Sequence, residues 1–274
     1  MTQIHFLTKN PRGRHALRHL LSSPASGNVD DPDLVLDASV TRVVDAFTGA
    51  VTMANVEHHL GRPDRKRRVT ITPPRSGDVL GRFCTMLRLL PARCELELPD
   101  GLTAPVLDPR VLMPATKMAS MDEADALSLF LKATSQQSHL GTARLEPKEA
   151  RLLGEALPDL VHNGLVHGSD SSCGVVACAA LEADNREIQL VVSDLGTQVV
   201  PSGDALETLR DAWARSRAKM GTLFYLAERA KKSGLDVSLQ IRTGNAAGRW
   251  RNHRWNAEQA EFTPGWTASV TLHR

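Results

Sequence analysis

Three short segments in the second half of the chain carry side chains suited to holding a phosphorylated ligand. In DLVHNGLVHG (159–168), Asp159 and Asn163 stand four residues apart. On a helix they project from one face. A carboxylate and a carboxamide oxygen one turn apart suit Mg²⁺ beside a phosphate chain, because magnesium takes hard oxygen ligands and keeps several waters. The carboxylate also has the chemistry to orient a water or accept a hydroxyl proton. In VVSDLGTQV (191–199) an apolar strand ends in Asp194, and Gly196 permits a close backbone approach. A carboxylate in that position can accept the exocyclic amine of adenine. In RSRAKMGTLFYLAERA (215–230), Gly221 precedes a helix whose first N–H groups can bind phosphate. Arg215, Arg217 and Lys219 stand just before it and can balance phosphate charge. Each segment alone is also an ordinary feature: a polar helix face, a strand-to-turn Asp-x-Gly, a basic loop before a capped helix.

The elements that must position these residues follow from periodicity. EPKEARLLGEALPDLVHNGLVHG (146–168) has apolar residues at helical spacing, and Pro158 inside it predicts a kink or two abutting helices. GVVACAALEA and EIQLVVSDLG read as strands joined through a DN turn. Residues 203–221 read as mixed loop and helix, and TLFYLAERAKKSG as an amphipathic helix ended by Gly234. DVSLQIRTG, GRWRNHRW and TASVTLHR read as three further strands, with Trp250 and His253 on opposite faces of the middle one. This order predicts an α/β sandwich with one mixed sheet covered by helices on one face.

Upstream, residues 1–33 read as loosely organised, with a short helix in RGRHALRHLL and a loop in SSPASGNVDDPD, and 38–60 reads as a helix. GRPDRKRR (61–68) reads as a solvated connector. RVTITPP, VLGRFCTMLRLLP and CELELP form a strand–helix–strand unit without a catalytic constellation. Residues 103–120 read as Pro-rich loop with a short strand, and 121–137 as a helix with acids in its first turn. The expected division is a module over 1–140 and a second domain over 141–274.

Taken together, the three segments resemble the motifs of the GHKL (Bergerat) ATPase and kinase superfamily. DLVHNGLVHG is similar to the N box, written E-L-V-x-N-A-x-x-H-G, with Asn163 at the magnesium-ligand position and His167-Gly168 at its closing pair. SDLGTQ is similar to the first glycine box, D-x-G-x-G, with Asp194 as the adenine-reading acid and Gly196 as first glycine. KMGTLFYLAERA resembles the second glycine box, and GWTASVTLHR the final strand, whose threonine assists the acid through water; Thr267 is that position. The match spans about 125 residues of the chain. The ending HG looks closest to the anti-sigma-factor serine kinase branch. The upstream βαβ unit resembles the STAS-type domains with which those kinases work.

The resemblance implies a Bergerat-type α/β sandwich, ATP or ADP with Mg²⁺, Asp159 as catalytic base and Asn163 as metal ligand. Asn163, His167, Gly168, Asp194, Gly196, Lys219, Gly221, Thr222 and Thr267 would bind the nucleotide, under a flexible lid over 197–220. The implied role is a cytoplasmic regulatory protein, either a Mg²⁺-dependent ATPase or protein serine kinase, or a nucleotide-gated interaction module with little turnover. The implied partners are a nucleotide and a protein, a second copy of the chain being one candidate. Departures favour the second version. Asp159 replaces the usual glutamate, which sets its carboxylate roughly 1–1.5 Å further back. A misplacement of that size costs about a hundredfold in rate. Gln198 stands where the second glycine belongs.

Composition narrows the classes further. A net charge of +2 over 274 residues lacks the basic excess of a dedicated nucleic-acid binder. The single tyrosine and few other aromatics make no base-stacking platform. No apolar run is long enough for a spanning helix, so a membrane role is not expected. Cys84, Cys94, Cys173 and Cys178 form no CxxC pair and read as reduced, mostly buried thiols.

Overall fold

The computed structural model describes residues 3–6, 33–39, 41–60, 68–75, 77–98, 107–133, 145–167, 174–182, 184–194, 205–219 and 221–274. It is a mixed α/β structure with two sheets. The smaller sheet holds β1 (Gln3–Phe6), β2 (Asp33–Asp37), β3 (Arg68–Thr72) and β4 (Cys94–Leu96), all parallel and in sequence order. β1 and β2 lie where the sequence pattern predicts no strand. QIHF and DLVLD are short and lack the flanking alternation that separates a strand from a loop; parallel pairing makes them strands.

Two crossovers return the chain along this sheet, through α1 (Ala46–Leu60) and α2 (Gly77–Met86). Right-handed crossovers in an unreversed strand order put both helices on one face. α1 starts later than periodicity predicts, because Asp45 accepts the Thr48 amide and hydroxyl at 2.8 and 2.6 Å and so caps it.

The larger sheet runs β5 (Val111–Met118), β6 (Val175–Glu182), β7 (Glu187–Asp194), β9 (Arg254–His273), β8 (Asp236–Arg251), and every pair is antiparallel. It is therefore not the mixed sheet expected. Nor is it covered on one face only. Val175, Ala177, Ala179 and Leu181 of β6 join one core with Leu190 and Val192; Val176, Cys178 and Ala180 join another with Val191. The period of two thus buries β6 on both sides. The front core belongs to α3 (Met121–Ala133), α4 (Pro147–His167) and α6 (Thr222–Ser233). The back core belongs to α1, which is shared with Leu36, Val69 and Ile71 of the small sheet.

Two elements that precede residue 140, the boundary expected from the sequence, join the larger sheet. β5 pairs with β6, and α3 packs on α4, so both belong with the larger sheet. Pro114 and two register shifts sit in β5, an edge strand, where a missing N–H costs no ladder bond. Pro158 does not break α4, which is one helix.

A buried ion network joins the two modules at the back. Arg82 of α2 donates to the carbonyls of Val44 and Leu181 at 2.7 and 2.8 Å, pairs with Glu182 at 2.7 Å, and lies 3.6 Å from Asp108. Glu182 in turn accepts the Ala46 amide at the start of α1 at 2.9 Å. Burial pushes the Glu182 carboxyl up to about 7, against the opposing pull of Arg82.

The C-terminal strands differ from the expected three. Asn252 and His253 have φ of 50° and 63°, so GRWRNHRW holds a two-residue hairpin turn and is not one strand. Trp250 and His253 consequently meet edge to face at 5.8 Å. The hairpin also folds back, because Arg251 reaches Asp236 at 3.1 Å although they lie at opposite ends of β8. Straight strands could not do this at about 3.3 Å per residue. Register shifts around Gly244 supply the bend.

Candidate functional site

The site is built where α4 crosses the front ends of β6 and β7. Gly164 lets the helix come that close: a Cβ there would stand 2.3 Å from Val175 Cγ1 and 3.8 Å from the Asp194 Cβ. Opposite α4 lies α5 (Ala205–Ala218), whose Leu209 is buried with Ile241 and Ala246 of β8. Trp213 of α5 stacks on Trp255 of the folded-back hairpin, with centroids 4.6 Å apart and planes 4° apart. The segment 197–220, which stands at the lid's place in the resemblance, is across 205–218 a helix docked on the hairpin, in keeping with the mixed loop and helix that its pattern predicts. Residues 197–204 lie outside the described residues.

These elements enclose a cavity of about 540 Å³. Leu160, Val192, Ile241, Trp266 and Ala268 form an apolar wall, while Asn163, Asp194, Arg215, Ser216, Lys219 and Thr222 place polar atoms around it. That size and mix are usual for a small-molecule site. Asp194, at the end of β7, is 4% exposed. Arg215, Ser216 and Lys219 share one face of α5 and its end, whereas Arg217, two residues from Arg215, is not on the lining.

Gly221 is the extended N-cap of α6, without a side-chain cap. Its own N–H is engaged, donating to the Ser216 carbonyl at 2.7 Å, and Ser216 Oγ accepts the Phe224 amide at 3.1 Å. Any anion at this helix start would therefore meet the Thr222 and Leu223 amides rather than those of Gly221 and Phe224.

Asp159 does not line the cavity. With Glu155 and Asn163 it forms the stripe of α4 that faces α6. At one end Glu155 pairs with Arg229 at 3.3 Å; at the other, Thr222 Oγ1 donates to Asn163 Oδ1 at 3.4 Å. Between them Asp159 Oδ2 is buried with no hydrogen-bond partner among the described residues. Burial raises its carboxyl, with Arg229 and His162 opposing and Glu155 adding to the effect.

Thr267 is also displaced from its expected role. It pairs with Ser193, and their hydroxyls lie 2.9 Å apart. Residues directly opposed in an antiparallel pair share a face, and that face is the back one, with Val191. Asp194 opposes Trp266 on the front. The sheet itself thus separates Thr267 from the cavity. The side chain of His167 and all of Gly168 and Gly196 lie outside the described residues.

The sequence assigns no site role to Leu160 and Trp266, which lie within the quoted motifs, or to Ile241, which lies outside them. Trp266 was legible in principle, as the residue before the threonine of the final strand. Ile241 carried no signal, because only strand pairing brings β8 here. Compared with known proteins, the chain matches no family model, no curated protein and no solved structure.

Proposed function

We propose that the front cavity binds an adenine nucleotide and that the chain works as a nucleotide-gated regulatory protein. One observation carries this reading: Asn163, Asp194, Lys219, Gly221 and Thr222, drawn from three separated segments, line one cavity. The motif resemblance to the GHKL superfamily, with its Bergerat-type site, supports it further. The apolar wall suits a purine, and Asp194 has the acceptor chemistry for its exocyclic amine. Arg215 and Lys219 supply positive charge for phosphates, and the start of α6 supplies amides.

Among the described residues no group of three or more His, Cys, Asp or Glu gathers to hold a metal. A Mg²⁺ would rest on the Asn163 amide oxygen and on the phosphate oxygens of the nucleotide, which magnesium accepts. When bound, the ion offsets phosphate charge. The polar lining therefore fits ADP or ATP with magnesium, with the cation carried mainly by the ligand.

Turnover, as in a Mg²⁺-dependent ATPase or serine kinase, is the second reading. It needs a carboxylate facing the phosphates, and Asp159 instead faces α6 with its Oδ2 enclosed. That position favours binding over catalysis. Calorimetry with ADP and with ATP, with and without Mg²⁺, tests both. Binding with no ADP production above an Asn163→Ala control supports the gated module. Production well above that control restores the enzyme, and no binding of either nucleotide removes both.

A further inference from the structure

A second, independent concavity of about 170 Å³ lies on the β8–β9 hairpin, lined by Arg249, Arg251, Arg254, Asn256 and Glu258. All five side chains are exposed. The register puts them on one face: Arg249 opposes Asn256, and Arg251 opposes Arg254 beside the turn. Two like charges directly opposed across a strand pair destabilise it. Asp236 holds only Arg251. Arg249 and Arg254 have no ion-pair partner among the described residues, although Glu258 stands on the same face. The opposite face of the hairpin is apolar: Trp250 is buried, and Trp255 stacks on Trp213. That packing holds the backbone beneath the arginines. Guanidinium groups on a fixed backbone give the forked geometry that matches phosphate oxygens.

We infer that this face binds a phosphate monoester carried on an extended segment of a partner protein. Three features select that occupant. The concavity suits one anionic group. A nucleic acid or an anionic membrane needs a longer row of cations, and here Glu258 and Asp236 bound the patch. The hairpin's tryptophans are turned away, so no base can stack on this face. β8 ends the sheet, and no described strand pairs with its outer edge, which leaves backbone groups for an extended peptide to engage.

The test uses the full chain and a fluorescent pool of degenerate nine-residue phosphoserine peptides, beside the same pool unphosphorylated. Inorganic phosphate and phosphatidylserine vesicles are separate arms. Binding of the phosphorylated pool, weakened about tenfold or more by Arg249→Gln with Arg254→Gln, is expected, since bonds to charged groups are the stronger ones. Nucleotide affinity of that double variant should equal that of the parent, which separates this site from the front cavity. Equal binding of both pools, undiminished binding by the double variant, binding of inorganic phosphate without gain from the peptide, or binding only to vesicles each overturns the inference. So does no binding at all.

Discussion

The two faces of the larger sheet each carry a cluster of charged and polar groups, arranged in opposite ways. At the back, Arg82, Glu182 and Asp108 close on one another and on backbone atoms. At the front, Asn163, Asp194, Arg215 and Lys219 stand around a cavity. A satisfied network specifies how elements dock, and removing one member leaves others buried and unpaired. Polar atoms that line a cavity can meet something from outside even where, as with Asn163 and Thr222, they already touch a neighbour. The back cluster is thus read as structure and the front one as a binding site, and mutation should separate them.

The largest effect is expected at the back. Arg82→Ala leaves Glu182 without its cation, while Asp108 keeps Arg110 at 2.7 Å, and the loss at Glu182 should cost about 3–5 kcal/mol. Chemical denaturation should show the loss. A variant as stable as the parent would show the network to be incidental and dissolve the contrast.

Asp194→Asn should act the other way. Unfolding should change by under about 1 kcal/mol, while affinity for ADP falls about a hundredfold, as expected when one hydrogen bond to a charged group is lost. Equal loss of stability and affinity in titrations of the variant would move Asp194 into the structural class.

The pH response sharpens the same comparison. The folded Glu182 carboxyl lies above its ordinary 4.5, at about 7. The folded protein then binds more protons than the unfolded chain between those values, so stability falls as pH rises through that window. The contribution, up to about 3 kcal/mol at one pKa unit per 1.36 kcal/mol, is full below pH 4.5 and gone above pH 7. Melting curves of the parent and of Glu182→Gln from pH 4.5 to 7.5 should diverge accordingly; parallel curves would remove Glu182 as the cause.

The smallest effect is expected at the meeting point of helix and cavity. Gly164→Ala sets a Cβ 2.3 Å from Val175 Cγ1, so α4 or the Val175 side chain must give by about 1 Å. Overpacking of about 1–3 kcal/mol is partly offset by better helix propensity, about 1 kcal/mol. A net destabilisation of about 1 kcal/mol, with a few-fold loss of ADP affinity, is the expected result. Unchanged affinity in the same titration would show that Asn163 and Asp194 need not keep their spacing.

Much of the fold was legible locally. α4, β6, β7 and α6 fall within two residues of their predicted bounds, since each has a long periodic pattern and clear ends. Gly234, with φ 70°, ends α6 as its type and place suggest. β1 and β2 were not legible, because strands of four or five residues owe their state to parallel neighbours rather than to pattern. The positions of Asn163 and Asp194 on a helix turn and at a strand end were readable. The direction of Asp159 and Thr267 was not, because i, i+4 spacing names a shared face without naming what that face meets.

The sequence by itself determined which residues carry chemistry and in which local element each one sits. Hydrophobic period, caps and turn residues act within a few positions, and those forces are written along the chain. Only the tertiary structure decided which of these residues share a cavity. Side-chain direction on a sheet reverses with every residue, so a single step of register sends Asp194 to the cavity and Thr267 to the opposite face. The antiparallel pairing, the hairpin folded over α5 and the ion network behind the sheet are likewise decided by contacts between distant segments, where burial and pairing outweigh local preference.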